Sequence, residues 1–298
     1  MAEPAHLRRP SGHSLRSRAP LGYQWVRQCW ILGQRYGDAK KADREYALMS
    51  AAQAPLIGGL LILVFHGCDP YSGALMFCLT ISALWFGIFS SVREIVAEYA
   101  VYQRERLLGL SVSAYVFSKI PLLCVVSFAQ SVVLLALVFP VLASDRTAAT
   151  GENLLRVAAM LGILTLTAAG GVALGLALSA LALILGRRTA TRTGMMSSEV
   201  AMSLVPLALL PQIILGGPFY LYDEAWTITR WLSNLTLARW SLGALLSLET
   251  SGPRTFARQM GLRDASALAS CGAIALLSGV YVLVTIAVMK WHNRSQGS

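Results

Sequence analysis

The chain has 298 residues, of which 55% are hydrophobic and only 13% are charged, and its mean hydropathy is +0.58. Soluble domains average about 25% charged residues, so these figures exclude a disordered chain and an ordinary soluble enzyme and favour a polytopic membrane protein. Five dispersed cysteines without a CxxC pair are typical of small apolar core residues, not of a disulfide scaffold or a zinc site.

The chain begins with two cytoplasmic pieces of different character. Residues 1–22 are polar and arginine-rich and lack the apolar core of a signal peptide, so we predict a disordered cytoplasmic tail. In residues 23–47, apolar residues such as Trp25, Trp30 and Tyr36 recur at helical spacing between polar ones, which predicts an amphipathic helix in the membrane interface. Two interpretations stay open for this helix: a simple anchor, and a surface for a cytoplasmic partner.

Six apolar runs that are free of charged residues follow. Each is close to the length of about 20 residues that crosses a hydrocarbon core. The runs predict an all-α fold with six transmembrane helices at about 48–66, 72–92, 120–143, 157–186, 200–217 and 266–289. Pro55, Pro206 and Pro211 fall inside these runs, and a membrane bundle tolerates such prolines.

The basic residues predict the orientation. Of the 25 lysines and arginines, 18 lie on the side that carries both termini and seven on the other. The positive-inside rule therefore predicts a multi-pass protein of the cell (inner) membrane with both termini, including residues 293–298, in the cytoplasm. Because topology accounts for the net charge of +10, we expect no nucleic-acid partner.

The segment between the second and third runs carries both signs of charge. Glu94 and Glu98 are four residues apart, as are Glu98 and Tyr102, so each pair shares one helical face. Gly109 is a plausible helix stop. Two interpretations stay open: a solvated charged hairpin, and a helix that presents its charges to a cytoplasmic protein.

This segment also carries a resemblance to a known family. The run Arg-Glu-Ile-Val-Ala-Glu at 93–98, the following Tyr-Gln-Arg-Glu-Arg at 102–106 and Ser-Lys at 118–119 resemble bacterial ABCG-like (ABC-2 type) ABC exporters. The likeness continues at Ser-Glu-Val-Ala (198–201), Leu-Pro-Gln (210–212) and Leu-Ala-Arg-Trp (237–240). It covers about residues 23–290.

The resemblance implies a six-span exporter domain at 48–292, a connecting helix at 23–47 and re-entrant short helices in an external loop at about 218–265. It also implies a coupling helix at about 93–108 that engages an ATP-binding domain. The implied coupling residues are Arg93, Glu94, Glu98, Tyr102, Arg104, Glu105 and Arg106. Spans two and five of two such domains would line the substrate path, and the candidates here are Phe77, Leu84, Trp85, Leu204, Leu209 and Ile213.

The sequence contains no G-x-x-x-x-G-K-[ST] motif and no Gly-Lys pair, so we expect that this chain is not itself an ATPase. The resemblance then implies that ATP and Mg²⁺ bind to a separate ATPase subunit or domain, and that this chain binds no cofactor or metal. A second transmembrane subunit, identical or different, and the lipid bilayer are the other expected partners.

The sequence thus predicts the permease of an ATP-driven exporter that moves an amphiphilic or hydrophobic substrate, such as a lipid, a lipid-linked intermediate or a metabolite. Two alternatives stay open: a polysaccharide or glycolipid exporter, and a non-transporting membrane scaffold. Gly170, Gly171 and Gly175 form a small-residue stripe in the fourth run, which favours close helix packing within the subunit or at a dimer interface.

Overall fold

The computed structural model describes residues 21–68, 71–143, 151–193, 197–216, 219, 225–248 and 266–294. Every regular element in these ranges is an α-helix. In chain order the helices are α1 (Leu21–Ala42), α2 (Arg44–Phe65), α3 (Gly73–Ser91), α4 (Glu94–Ala97), α5 (Tyr99–Leu107), α6 (Val112–Ala143), α7 (Gly151–Thr193), α8 (Ser197–Gly216), α9 (Thr227–Asn234), α10 (Leu237–Ser247) and α11 (Ala267–Arg294).

Six of these helices are long and apolar enough to cross a membrane: α2, α3, α6, α7, α8 and α11. The prediction of an all-α, six-span fold is therefore confirmed, and the three prolines named above lie inside helices. We call the end of the bundle that carries α1, α4, α5 and the end of α11 the basic end, and the other the opposite end. The positive-inside count predicts that the basic end is cytoplasmic.

Two predicted boundaries differ from the structure for physical reasons. The helix predicted at 23–47 ends at Ala42, because the Asp43 carboxylate accepts a hydrogen bond from the Tyr46 amide (3.0 Å) and starts α2 there. The third span starts at Val112 instead of residue 120, because the helix continues through the charged Lys119. The predicted stop at Gly109 is confirmed, since α5 ends at Leu107 and Gly109 has a φ of 95°.

The helices α3 and α7 form the centre of the bundle, and most of their surface is buried. They cross at glycines. A Cβ atom at Gly87 of α3 would lie 2.7 Å from the Val172 amide nitrogen of α7, and one at Gly171 would lie 2.7 Å from the Leu84 carbonyl oxygen. The small-residue stripe therefore serves packing within the subunit at Gly171 and Gly175, which both face α3.

At the opposite end, the short helix α10 is buried among the spans. The Gln212 side chain of α8 accepts a hydrogen bond from the Ala238 amide (3.1 Å) and so satisfies the first turn of α10. The Thr167 hydroxyl of α7 donates to Ser241 of α10 (2.6 Å). An eleven-residue helix is about 16 Å long and cannot cross the bilayer. The chain around α10 therefore enters and leaves the bundle at the same end.

The remaining predicted segments lie mostly outside the described residues. Residues 1–20 of the predicted tail, 249–265 of the predicted external loop and 295–298 at the end of the chain belong to this group. Asn293 and Arg294, predicted as the start of a cytoplasmic tail, are instead the last residues of α11.

Candidate functional site

The segment of residues 93–108, predicted to be the coupling helix, is two short helices that are separated at Glu98. The helix α4 ends at Ala97, the chain bends at Glu98, and α5 continues to Leu107. No side chain of the segment caps α4. Its cap comes from α7 instead, because the Ser179 hydroxyl accepts hydrogen bonds from the amides of Ile95 (3.1 Å) and Val96 (3.2 Å).

Glu94 is the acidic centre of a buried group of side chains. Its carboxylate lies 2.5 Å from the Lys40 ammonium and accepts a hydrogen bond of 2.5 Å from the Tyr36 hydroxyl, both from α1. Burial raises the pKa of Tyr36, and the negative charge of Glu94 raises it further. The hydroxyl therefore stays protonated and remains a donor to Glu94.

Lys119 of α6 joins the same group from the other side. Its side chain is only 1% exposed, and its ammonium lies 2.5 Å from Glu98 and 3.9 Å from Glu94. The same ammonium lies 4.0 Å from the centre of the Tyr36 ring, within reach of a cation–π interaction. We call these five residues the buried ionic cluster; it links α1, the 93–108 segment and α6.

A second contact fixes the segment to the end of the last span. Tyr102 of α5 is buried, and its hydroxyl accepts a hydrogen bond from the Asn293 amide of α11 (2.8 Å). The neighbouring ring of Tyr99 contacts the His292 ring, with 5.5 Å between the centres. Burial raises the pKa of Tyr102, so its hydroxyl stays protonated. The segment is thus held by α1, α6, α7 and α11.

The interface helix α1 lies against α6 and α5. The Trp25 indole donates to the Ser113 hydroxyl (3.0 Å), and its ring packs edge-on against Phe117 with 5.6 Å between the centres. Nearer its end, Arg35 forms an ion pair with Glu105 of α5. These contacts tie α1 to α6 and to the 93–108 segment within the chain, and both interpretations of α1, an anchor and a surface for a cytoplasmic partner, stay open.

The outer face of the 93–108 segment is basic and apolar. Arg93, Arg104 and Arg106 are exposed. Leu107 and Leu108, at the tip, are each 89% exposed. Beside the tip, between α1 and α5, lies a small groove of about 250 Å³ whose walls include Leu108 and Ile31. Basic side chains around exposed leucines form a surface suited to a protein partner.

The seven predicted coupling residues therefore divide into two groups. Arg104 and Arg106 face outward near the tip, and Arg93, also exposed, borders a cavity beside α2 and α8. The side chains of Glu94, Glu98, Tyr102 and Glu105 are engaged within the chain by the contacts described above. Sequence reasoning missed the partners Tyr36, Lys40, Lys119, Ser179 and Asn293 as site residues. Two glutamates on one helical face require cations nearby, and this signal could have pointed to the lysines.

The structure brings some of the predicted path residues together and buries others. Leu84 packs against α10 and α11, and Leu209 packs against α3 and α7, so both lie inside the bundle. Phe77 is buried and meets the Phe219 ring edge-on. The remaining three are partly buried on α3 and α8: Trp85 and Ile213 pack against one hydrophobic cluster, and Trp85 and Leu204 pack against another.

Among the described residues, no three His, Cys, Asp or Glu side chains come together as metal ligands. The described chain is thus a six-span helical bundle with an exposed basic and apolar surface at its basic end, the architecture of a polytopic membrane protein.

Comparison with known proteins agrees with this class. Residues 27–250 match the family described as ABC-2 type transporter, so the chain belongs to that family and is the membrane component of an ABC transporter. It is 24% identical over 172 residues to the ABC transporter ATP-binding/permease protein Rv1747 of Mycobacterium tuberculosis. That match covers 58% of this chain and 18% of the relative, so the chain corresponds to a small part of that protein.

Proposed function

We propose that the chain is the permease of an ATP-driven exporter of the cytoplasmic membrane, with both termini in the cytoplasm. An ATP-binding domain, which would hold ATP and Mg²⁺, docks on the outer face of the 93–108 segment. The observation that carries the proposal is the tip: Leu107 and Leu108 are 89% exposed beside Arg104 and Arg106. Apolar surface of this kind, rimmed by charge, is typical of a protein-binding site.

The inner face of the same segment supports a role in transmitting movement. Its acidic side chains are held by α1 and α6 through the buried ionic cluster, its first turn by Ser179 of α7, and Tyr102 by Asn293 of α11. A displacement applied by the ATPase at the tip therefore reaches several spans at once. The charged interior serves this linkage, and Arg104, Arg106 and the two exposed leucines serve the docking.

A second transmembrane subunit, identical or homologous, would complete the substrate path. Trp85 of α3 and Leu204 and Ile213 of α8 are partly buried, and α8 leaves many apolar side chains uncovered, Leu207 and Ile214 among them. An interface there would place these residues on the path between subunits. Their apolar character favours an amphiphilic or hydrophobic substrate, which the ATPase would drive outward by alternating access.

The test is affinity purification of the tagged chain in mild detergent, followed by mass spectrometry and an ATP hydrolysis assay. We expect a P-loop ATPase to co-purify with the chain. The variants Arg104→Glu and Leu108→Asp should lose it, because they reverse a charge and place a carboxylate in the docking face. Both side chains are exposed, so the variants should elute as folded protein in size-exclusion chromatography.

Arg294→Glu is the matched control, since Arg294 is an exposed arginine at the same end of the bundle but on α11. It should retain the ATPase. An ATPase that remains bound to both docking variants would place the docking face elsewhere. A chain that purifies without any ATPase from several detergents would contradict the exporter and favour the scaffold.

A further inference from the structure

A cavity of about 650 Å³ lies at the basic end, between the end of α1, the first turns of α2 and α8, and the junction of α3 with α4. Its walls include Tyr46, Arg93 and Phe89. Tyr46 is in the first turn of a span and Arg93 lies two residues beyond the end of another. The cavity is therefore at the depth where lipid headgroups meet the acyl chains.

One part of the wall offers donors to an anion. The Tyr46 hydroxyl is buried and has no hydrogen-bond partner among the described residues. Arg93 is exposed and forms no ion pair within the part of the chain that the structure describes. A buried hydroxyl without a partner is costly, and a guanidinium is the side chain best suited to phosphate oxygens.

Another part of the wall offers an acceptor to a cation. Glu45, in the first turn of α2, is exposed and is in no ion pair among the described residues. The other acidic side chains of the wall have partners: Asp43 caps α2, Glu94 pairs with Lys40, and Glu98 pairs with Lys119. In the described wall, the Arg93 guanidinium and the Glu45 carboxylate thus stay available to a ligand, whereas the Asp43 carboxylate has an amide but no cation as its partner.

A further part of the wall is apolar, beside the polar side chains of Ser50, Gln53, Ser90 and Ser198, and it leads toward the predicted substrate path. Met49 of α2 and Met202 of α8 line it, and flexible methionines adapt to varied acyl chains. The ring of Phe89 stacks on Trp85, with 5.8 Å between the centres and 14° between the planes. An aromatic surface therefore continues from the cavity along α3 into the bundle.

We propose that this cavity binds an amphiphile whose headgroup is zwitterionic, a phosphate ester that carries a primary amine. The phosphate contacts Arg93 and the Tyr46 hydroxyl, the ammonium contacts Glu45, and the acyl chains lie against Met49, Phe89 and Met202. That this amphiphile is the exporter's cargo rests on the proposed function, whereas its binding to the chain does not.

The experiment measures binding of dioctanoyl phosphatidylethanolamine and dioctanoyl phosphatidylglycerol to the purified full chain in detergent, by native mass spectrometry. Phosphatidylethanolamine should bind about tenfold more tightly, since the glycerol headgroup lacks the ammonium. Glu45→Gln should remove that preference and leave phosphatidylglycerol binding unchanged. Arg93→Gln and Tyr46→Phe should weaken both lipids.

Arg44→Gln is the matched control for Arg93→Gln, because Arg44 is exposed at the same end and is not part of the cavity wall; it should bind both lipids as the unaltered chain does. Equal affinity for the two lipids, or a preference that survives Glu45→Gln, would overturn the proposal. If soluble phosphoethanolamine binds as tightly as the lipid, the acyl chains contribute nothing, and the proposal that the ligand is an amphiphile is overturned. Because no ATPase is present, the result is independent of the proposed function, which ATP-dependent transport in proteoliposomes tests separately.

Discussion

Replacing Lys119 by methionine tests the buried ionic cluster. Methionine is close to lysine in length and removes only the ammonium, so Lys119→Met changes the charge and little of the packing. The ammonium is 1% exposed and lies 2.5 Å from Glu98 and 3.9 Å from Glu94. Its removal leaves the carboxylates with one cation fewer in a site largely closed to water.

The size of the loss in the free energy of unfolding depends on which cations and hydrogen-bond donors remain beside each carboxylate after the substitution. Removing one partner of a fully buried pair costs about 3–5 kcal/mol. Here the cost is smaller, because Glu98 is 31% exposed and reaches water, and Glu94 keeps Lys40 at 2.5 Å and the Tyr36 hydroxyl. We expect a loss of roughly 2 kcal/mol in the free energy of unfolding, which corresponds to a fall in the melting temperature of roughly 3 °C for a chain of 298 residues.

The assay is thermal unfolding of the purified chain in detergent, followed by intrinsic tryptophan fluorescence. Lys290→Met is the control, since Lys290 is an exposed lysine at the same end of the bundle and should change the melting temperature little. The double variant Lys119→Met with Glu98→Met removes both charges and should recover much of the loss. A single variant as stable as the control, or a double variant less stable than the single, would refute the reasoning.

Three further predictions concern the contacts that hold the segment and the bundle centre. Gly87→Ala should lower the melting temperature and the folded yield in size-exclusion chromatography, because the new Cβ would lie 2.7 Å from a backbone nitrogen of α7. We expect a cost of about 1–3 kcal/mol in the free energy of unfolding. The control Gly59→Ala has open space around the new Cβ and should change neither quantity. Ser179→Ala should remove the cap of α4 and cost about 1 kcal/mol, seen as faster hydrogen exchange at residues 95 and 96; unchanged exchange there would contradict it. Asn293→Ala should cost about 1–2 kcal/mol in thermal unfolding, because it leaves the buried Tyr102 hydroxyl without its 2.8 Å partner, and Arg294→Ala serves as its exposed control.

The six spans could be predicted because crossing a bilayer imposes a length and an apolar composition that are visible in any window of the sequence. Lys119 shows where that criterion fails. A count of charged residues treats Lys119 as an isolated charge and therefore starts the third span after it. The helix instead includes Lys119, because Glu98, 21 residues earlier in the chain, supplies the opposite charge. Such pairing is tertiary and leaves no periodicity in the sequence.

The candidate site could be predicted only in part, because its contacts are also tertiary. Helical spacing establishes that Glu94 and Glu98 share a face, but not whether that face points outward or inward; the structure turns it toward Lys119. Ser179 lies 84 residues from the amide of Ile95, and no local pattern marks a serine as the cap of a distant helix. The exposed arginines, in contrast, need no partner within the chain and were among the predicted residues, whereas the exposed Leu107 and Leu108 were not.

The glycine crossing of α3 and α7 has a mechanical consequence. With the backbones in contact at Gly87 and Gly171, the two helices cannot slide without a collision, so they turn together as a lever. The short arm is the 93–108 segment, which continues from α3 and is also bonded to Ser179 of α7. The long arm is the part of α7 between Gly171 and Gly151, which extends over about 30 Å, so that a tilt of roughly 5° about the crossing moves its far end by roughly 3 Å. A tilt imposed at the 93–108 segment would thereby reach the opposite end of the bundle.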